Sequence, residues 1–234
     1  MRDVETSSLS HRMRVMREHP SAILLAGQLA AVLAYPFIGD STPGRAVLGG
    51  VGTVLILVAL YAVRRTPVLA WVALILGVPA LVCNVLEVVF PGSDGVLLAS
   101  ALLHAPFYFY VSYGMIRYLF HDDRVTRDEL YATGAAFTVV AWGFAYVYLA
   151  VQILAPGSFT GTGGAGERTW FELLYLSFTT LTSVGLSDVS PVLDHARSLV
   201  MIEQVAGVLY IALVVARLVG LTVARQSNRP PHVD

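Results

Sequence analysis

Apolar residues along this chain fall into long runs broken by short polar segments, and the runs are long enough to be helices that cross a bilayer. A spanning helix needs about 20 mostly apolar residues. Six stretches fit, at 21–38, 46–63, 68–90, 96–120, 130–154 and 197–223. The first four breaks carry turn chemistry: GDSTPG at 39–44, RRTP at 64–67, PGSDG at 91–95 and HDDRVTRDE at 121–129. The fifth break, 155–196, is long and contains a second, shorter apolar stretch, TWFELLYLSFTTL. That stretch predicts a short helix over about 170–181, followed by a polar, glycine-containing strand. Non-helical backbone at membrane depth is tolerated only where protein buries it or where it lines a water-filled path. The expected fold is therefore all-α and polytopic, with six transmembrane helices and a re-entrant loop between the fifth and sixth.

Composition agrees with a membrane setting. Hydrophobic residues make up 56% of the 234 and charged residues 13%, against about 25% charged in soluble domains. Too few charges remain to cover a water-facing surface, so the lipid bilayer takes part of it. A net charge of -1 argues against nucleic acid as a partner. The single cysteine, Cys83, sits in an apolar run and reads as core packing. Residues 1–19 are polar and basic and do not read as a cleaved signal.

Arginine placement orients the spans. Arg2, Arg12, Arg14 and Arg17 precede the first span, and Arg64 and Arg65 follow the second. Arg117, Arg124 and Arg127 lie between the fourth and fifth, and Arg217, Arg225 and Arg229 end the sixth. Only Arg45, Arg168 and Arg197 fall on the other side. The positive-inside rule then puts both termini in the cytoplasm and the 155–196 loop outside. This gives a cytoplasmic segment over 1–20, a four-helix domain over 21–129, a pore-like module over 130–224 and a cytoplasmic tail over 225–234. No internal repeat is visible, which weakens a transporter reading.

The strand after the short helix reads Thr182-Ser183-Val184-Gly185-Leu186-Ser187-Asp188. It resembles the T-T-V-G-Y-G-D selectivity filter of the tetrameric potassium-channel superfamily. Pro191 follows at the family's spacing, and Gly207 stands where the family keeps a hinge glycine. The likeness covers about residues 130–223. Residues 1–129 resemble the first four helices of six-helix channels only in number and hydropathy. The resemblance implies a homotetramer, since one filter segment cannot enclose an ion path. It also implies passive conduction, with potassium the permeant ion and sodium the alternative, across a plasma membrane (a bacterial inner membrane). It implies no cofactor, no metal beyond permeant cations and no enzymatic chemistry.

The physics of the motif supports that reading. Carbonyls in a row can replace the water shell of a dehydrated cation. Gly185 is expected where φ is positive, and the Ser183 hydroxyl can add an innermost ligand. The C-terminal end of the 170–181 helix carries partial negative charge towards the cavity, and Asp188 at the outer mouth raises local cation concentration. Two departures stand out. Leu186 replaces the family tyrosine, and Ser187 replaces a glycine whose left-handed backbone costs a serine about 1–2 kcal/mol. The outer filter is therefore expected to be wider or more mobile than the inner one. That keeps open a weakly selective cation pore and a non-conducting sensor or scaffold.

Other residues invite a reading. Glu203 and Gly207 are gating candidates: Glu203 as a latch to Thr179 or Thr180, or simply a hydrogen-bonded carboxyl, and Gly207 as a hinge or a close-packing site. Asn84, Glu87 and His104 could form a polar cluster in the four-helix domain, read as a satisfied structural network in preference to a ligand site. Arg217 is expected to snorkel or meet acidic lipid. Pro79 and Pro106 predict kinks. The fourth span has Arg117 alone, against the regularly spaced arginines of voltage sensors.

Overall fold

The computed structural model describes residues 20–38, 67–120, 126–162 and 166–227. The expected second span at 46–63, the basic segment before the first span, Arg45, Arg64 and Arg65 lie outside the described residues. Where the chain is described, the apolar runs become helices close to their expected bounds. These are α1 (Pro20–Ile38), α2 (Pro67–Val89), α3 (Asp94–Leu119), α4 (Arg127–Leu154), the short α5 (Trp170–Leu181) and α6 (Asp194–Ser227). Five of them are long and apolar enough to cross a membrane among the described residues. The protein is a polytopic helical membrane protein. α2 runs on through Pro79 and α3 through Pro106.

The all-α expectation needs one small amendment. Phe159–Thr160 (β1) pairs antiparallel with Ser190–Pro191 (β2), and the Val192 amide donates to the Ser158 carbonyl at 2.8 Å. This clasp ties the chain leaving α4 to the chain entering α6. Two-residue strands leave no periodicity to read.

α4 is the central helix and packs against α1, α3, α5 and α6. Ala132, Ala135, Ala136, Ala141 and Ala145 along it are at most 1% exposed. Small side chains let neighbouring backbones approach where water supplies no driving force. Polar pairs add register. Thr138 of α4 donates to Gln28 Oε1 of α1 at 2.6 Å. Ser21, at the start of α1, donates its amide and hydroxyl to the two carboxylate oxygens of Asp128, at 3.1 and 3.0 Å. α4 begins on Thr126, whose hydroxyl caps the Glu129 amide at 3.2 Å.

At this same end of the bundle Arg217 of α6 does not reach outwards as expected. Its guanidinium lies 3.7 Å from the Glu129 carboxylate and 5.1 Å from the centre of the Phe120 ring. A carboxylate and an aromatic face already stand there, so the side chain has partners within the chain. α6 otherwise leaves Met201, Ile202, Val205, Val208 and Leu209 more than half exposed. This is an apolar face that lipid or further copies must cover.

Candidate functional site

α5 is held at both ends and in its middle. Thr169 and Glu172 form a capping box, with the Glu172 amide donating to Thr169 Oγ1 at 3.2 Å and the Thr169 amide to Glu172 Oε2 at 2.6 Å. One residue earlier, the Arg168 backbone pairs with the Gln152 side chain of α4, amide to Oε1 at 2.8 Å and Nε2 to carbonyl at 3.0 Å. At mid-helix the Ser177 hydroxyl lies 2.8 Å from the Ala141 carbonyl of α4 and 2.5 Å from Glu203 Oε1 of α6. The other Glu203 oxygen accepts from the Tyr148 hydroxyl of α4. Glu203 is fully buried, so one carboxyl group joins three helices. Its partners are Ser177 and Tyr148 rather than the expected Thr179 and Thr180, whose hydroxyls do not reach it.

One turn further along α6 sits Gly207. A Cβ added there would lie 2.0 Å from the Leu181 carbonyl oxygen and 2.8 Å from its carbon. The contact is backbone against helix surface, at the last residue of α5. Of the two readings open in the sequence, close packing is the one for which the structure supplies a physical cause.

α5 ends in a Schellman motif. Thr182 is the cap, the Ser183 amide donates to the Thr180 carbonyl at 2.9 Å, and the Val184 amide donates to the Thr179 carbonyl at 3.0 Å. The Gly185 amide adds a second bond to Thr179, also at 3.0 Å. The motif requires a left-handed residue just past the cap, and Ser183 supplies it with φ of 59°. Gly185 has φ of 69°, as its place in the motif leads one to expect. Ser187 is not in the left-handed region. The strain assigned to it from sequence belongs instead to Ser183, because helix termination sets the backbone there. Ser187 instead uses its hydroxyl to accept the Val189 amide at 3.1 Å. The Thr179 and Thr180 carbonyls at the end of α5 are also already engaged, so they do not face a cation unpaired.

Beyond this turn, residues 182–186 and Asp188 are exposed, and Ser187 is half-buried. The Tyr175 hydroxyl donates to the Leu186 carbonyl at 2.6 Å. The outer part of the segment is thus tied to α5 through its carbonyl, whereas the inner part is tied through amides that leave their carbonyls open. Asp188 accepts from the Thr162 hydroxyl at 3.1 Å. Sequence reasoning missed Tyr148, Gln152, Thr162, Tyr175 and Ser177. The available signal was the set of hydroxyls in a short apolar helix, which must be partnered when buried. Among the described residues no group of His, Cys, Asp and Glu side chains could hold a metal ion.

Residues 134–224, from α4 through α6, match the family described as ion channel. The chain is also similar to Protein LctB of Bacillus caldotenax, at 30% identity over 100 residues, which span 41% of this chain and 74% of that protein. The chain belongs to the ion channel family. No solved structure matches it. The match bears out the resemblance to the potassium-channel superfamily, and it makes this a channel-family protein and not an enzyme. It begins inside α4, so α1 to α3 lie outside the matched residues.

Proposed function

We propose that this chain assembles as a homotetramer in the plasma membrane and passively conducts potassium through a pore lined by residues 182–188. In this reading α5 is a re-entrant pore helix, residues 46–63 supply a sixth span and both termini are cytoplasmic. The observation that carries it is the exposed, non-helical Thr182–Asp188 segment, suspended between two spanning helices in a channel-family chain. Such backbone is unstable facing lipid and must meet either a water-filled path or other copies of itself. Four copies around an axis supply both. Val184 at 60% and Leu186 at 73% exposure are then the side chains that neighbouring copies cover.

Within the proposed pore the carbonyls of Ser183, Val184 and Gly185 coordinate the ion, joined by the hydroxyl oxygens of Thr182 or Ser183. Asp188 concentrates cations at the mouth. The second reading, a weakly selective cation pore, is favoured by one contact. A Leu186 carbonyl bonded to Tyr175 has one lone pair directed into the wall, so the outermost cage is weaker than the inner ones. Sealed liposomes test both. Protein reconstituted in a potassium gradient should carry a valinomycin-independent flux, with a reversal potential shifted towards potassium in mixed potassium and sodium. Equal permeability selects the weakly selective pore, and no flux from a folded tetramer selects the scaffold. A monomer or dimer in native mass measurement would remove the pore reading altogether.

A further inference from the structure

Behind α5 lies a cavity of about 550 Å³. Its walls come from α1, α2, α3, α4 and the N-terminal half of α5, and its rim from Pro91, Gly92, Asp94 and Glu167. That volume falls in the range of small-molecule sites, about 300–1,000 Å³. The lining is aromatic, with Tyr35, Tyr108, Trp142, Tyr146, Trp170 and Phe171 around it. Four residues on its wall each carry a buried polar atom with no hydrogen-bonding partner in the described chain: Asn84 Nδ2, Glu87 Oε1, Trp142 Nε1 and Trp170 Nε1. Asn84 is 9% exposed and Trp142 5%. Of the polar cluster expected from sequence, Glu87 and His104 are joined through the Ser100 hydroxyl, which faces both, but Asn84 Nδ2, Glu87 Oε1 and His104 Nε2 are left unpaired. Buried polar groups are as a rule hydrogen-bonded, and four around one cavity point to a molecule that pairs them.

The unpaired set specifies that molecule's chemistry. Three N–H donors ask for an acceptor oxygen. One carboxylate oxygen asks for a cation or donor. Aromatic faces around it favour an ammonium group. We propose that this cavity binds an organic ammonium compound that also carries an oxygen acceptor, with the ammonium at Glu87 and the oxygen at Asn84 and the two indoles. A free amino alcohol and the ethanolamine head group of a phospholipid share this chemistry. Trp170, Phe171 and Leu174 belong to α5, so occupancy braces the helix that carries residues 182–188. That consequence rests on the conducting reading, whereas the binding does not.

The test uses the full chain carrying Trp71→Phe, which leaves Trp142 and Trp170 as its tryptophans, in discs of phosphatidylglycerol alone. Titration with 2-amino-1-phenylethanol should quench the tryptophans saturably, with calorimetry giving one site per chain. The neutral 1-phenylethanol should bind roughly tenfold or more weakly, and Glu87→Gln should weaken the amine by a similar factor without altering residues 182–188. Ala31→Leu, on the cavity wall, should block the amine while leaving the charge in place. In discs containing phosphatidylethanolamine, native mass measurement separates the two sources. Retention of that lipid by the natural chain but not by Glu87→Gln, with displacement by the amine, assigns the site to a lipid head group. Amine binding without lipid retention assigns it to a soluble amine. The proposal is overturned if amine and alcohol bind equally, if Ala31→Leu leaves amine binding intact, or if neither amine nor lipid is held. Should Glu87→Gln fail to fold, the amine–alcohol comparison on the natural chain and Ala31→Leu still decide.

Discussion

Replacing Gly207 by alanine separates a packing role from a hinge role. The added methyl would stand 2.0 Å from the Leu181 carbonyl oxygen and 3.1 Å from Leu181 Cα. Neither neighbour is the flexible end of a side chain, so the clash is relieved only by moving a helix. Restoring an ordinary carbon–oxygen contact requires α6 to retreat from α5 by about 1 to 1.5 Å. Glu203 lies one turn earlier on the same helix and would be drawn from Ser177, 2.5 Å away. Overpacking of this kind costs about 1–3 kcal/mol, and loss of the Ser177 bond adds about 1 kcal/mol. Gly207→Ala should therefore lower the thermal midpoint of the purified protein and reduce ion flux together, and Gly207→Val should do so more strongly. Thermal unfolding by intrinsic fluorescence and liposome flux on the same preparations are the assays. A hinge makes a different demand, since alanine would stiffen α6 and shift the open fraction at unchanged stability. Unchanged unfolding with altered flux would refute the packing argument.

Glu203→Leu removes the acceptor of the buried Tyr148 hydroxyl, at about 1–3 kcal/mol, while Ser177 keeps the Ala141 carbonyl, so it should unfold at lower temperature than Glu203→Gln, which keeps an acceptor for Tyr148. In the proposed outer filter, Tyr175→Phe releases the Leu186 carbonyl and should change the potassium-to-sodium reversal potential without changing assembly. Ser187→Gly in the same recording should bring no gain in selectivity, because Ser187 is not in the left-handed region; a gain would contradict this backbone assignment. Each gating charge is worth about 2.3 kcal/mol per 100 mV, and α3 carries Arg117 alone, so a conductance–voltage curve should be shallow; several effective charges would show otherwise.

What could be read from the sequence was local. Apolar run length fixed α1, α3, α4 and α6 to within a few residues, and the apolar stretch in the long loop fixed α5 as Trp170–Leu181. Gly185 was legible because glycine adopts positive φ without the steric cost that other residues meet. The left-handed Ser183 was not, because it follows from where α5 ends and not from what serine prefers. The Tyr175–Leu186, Ser177–Glu203 and Tyr148–Glu203 contacts were out of reach for another reason. They join residues 11, 26 and 55 positions apart, and in a chain rich in hydroxyls nothing local says which hydroxyl meets Glu203. Arg217 misled in the same way, since a snorkelling arginine and one paired with Glu129 have the same sequence surroundings.

These contacts divide the work of building the site between one chain and its proposed assembly. Gln152 and the capping box fix the start of α5, Glu203 and Ala141 fix its middle, and Gly207 lets α6 close on its end. All of these partners lie in α4 to α6 of the same chain or in the cap itself. The Schellman turn then sets the direction of Ser183 to Gly185 from the end of α5. The position and heading of the inner segment are thus determined before any second copy arrives. What one chain cannot supply is a closed ring of oxygens, or cover for Val184 and Leu186. Mutations at Glu203, Gly207 or Ser177 should therefore act first on the stability of the protomer and through it on flux. Changes at Val184 and Leu186 should act on assembly and ion preference while leaving the protomer's own fold intact. Comparing protomer unfolding with oligomer dissociation for Ser177→Ala and Val184→Ala checks this division, and a loss of protomer stability in Val184→Ala as large as that in Ser177→Ala would refute it.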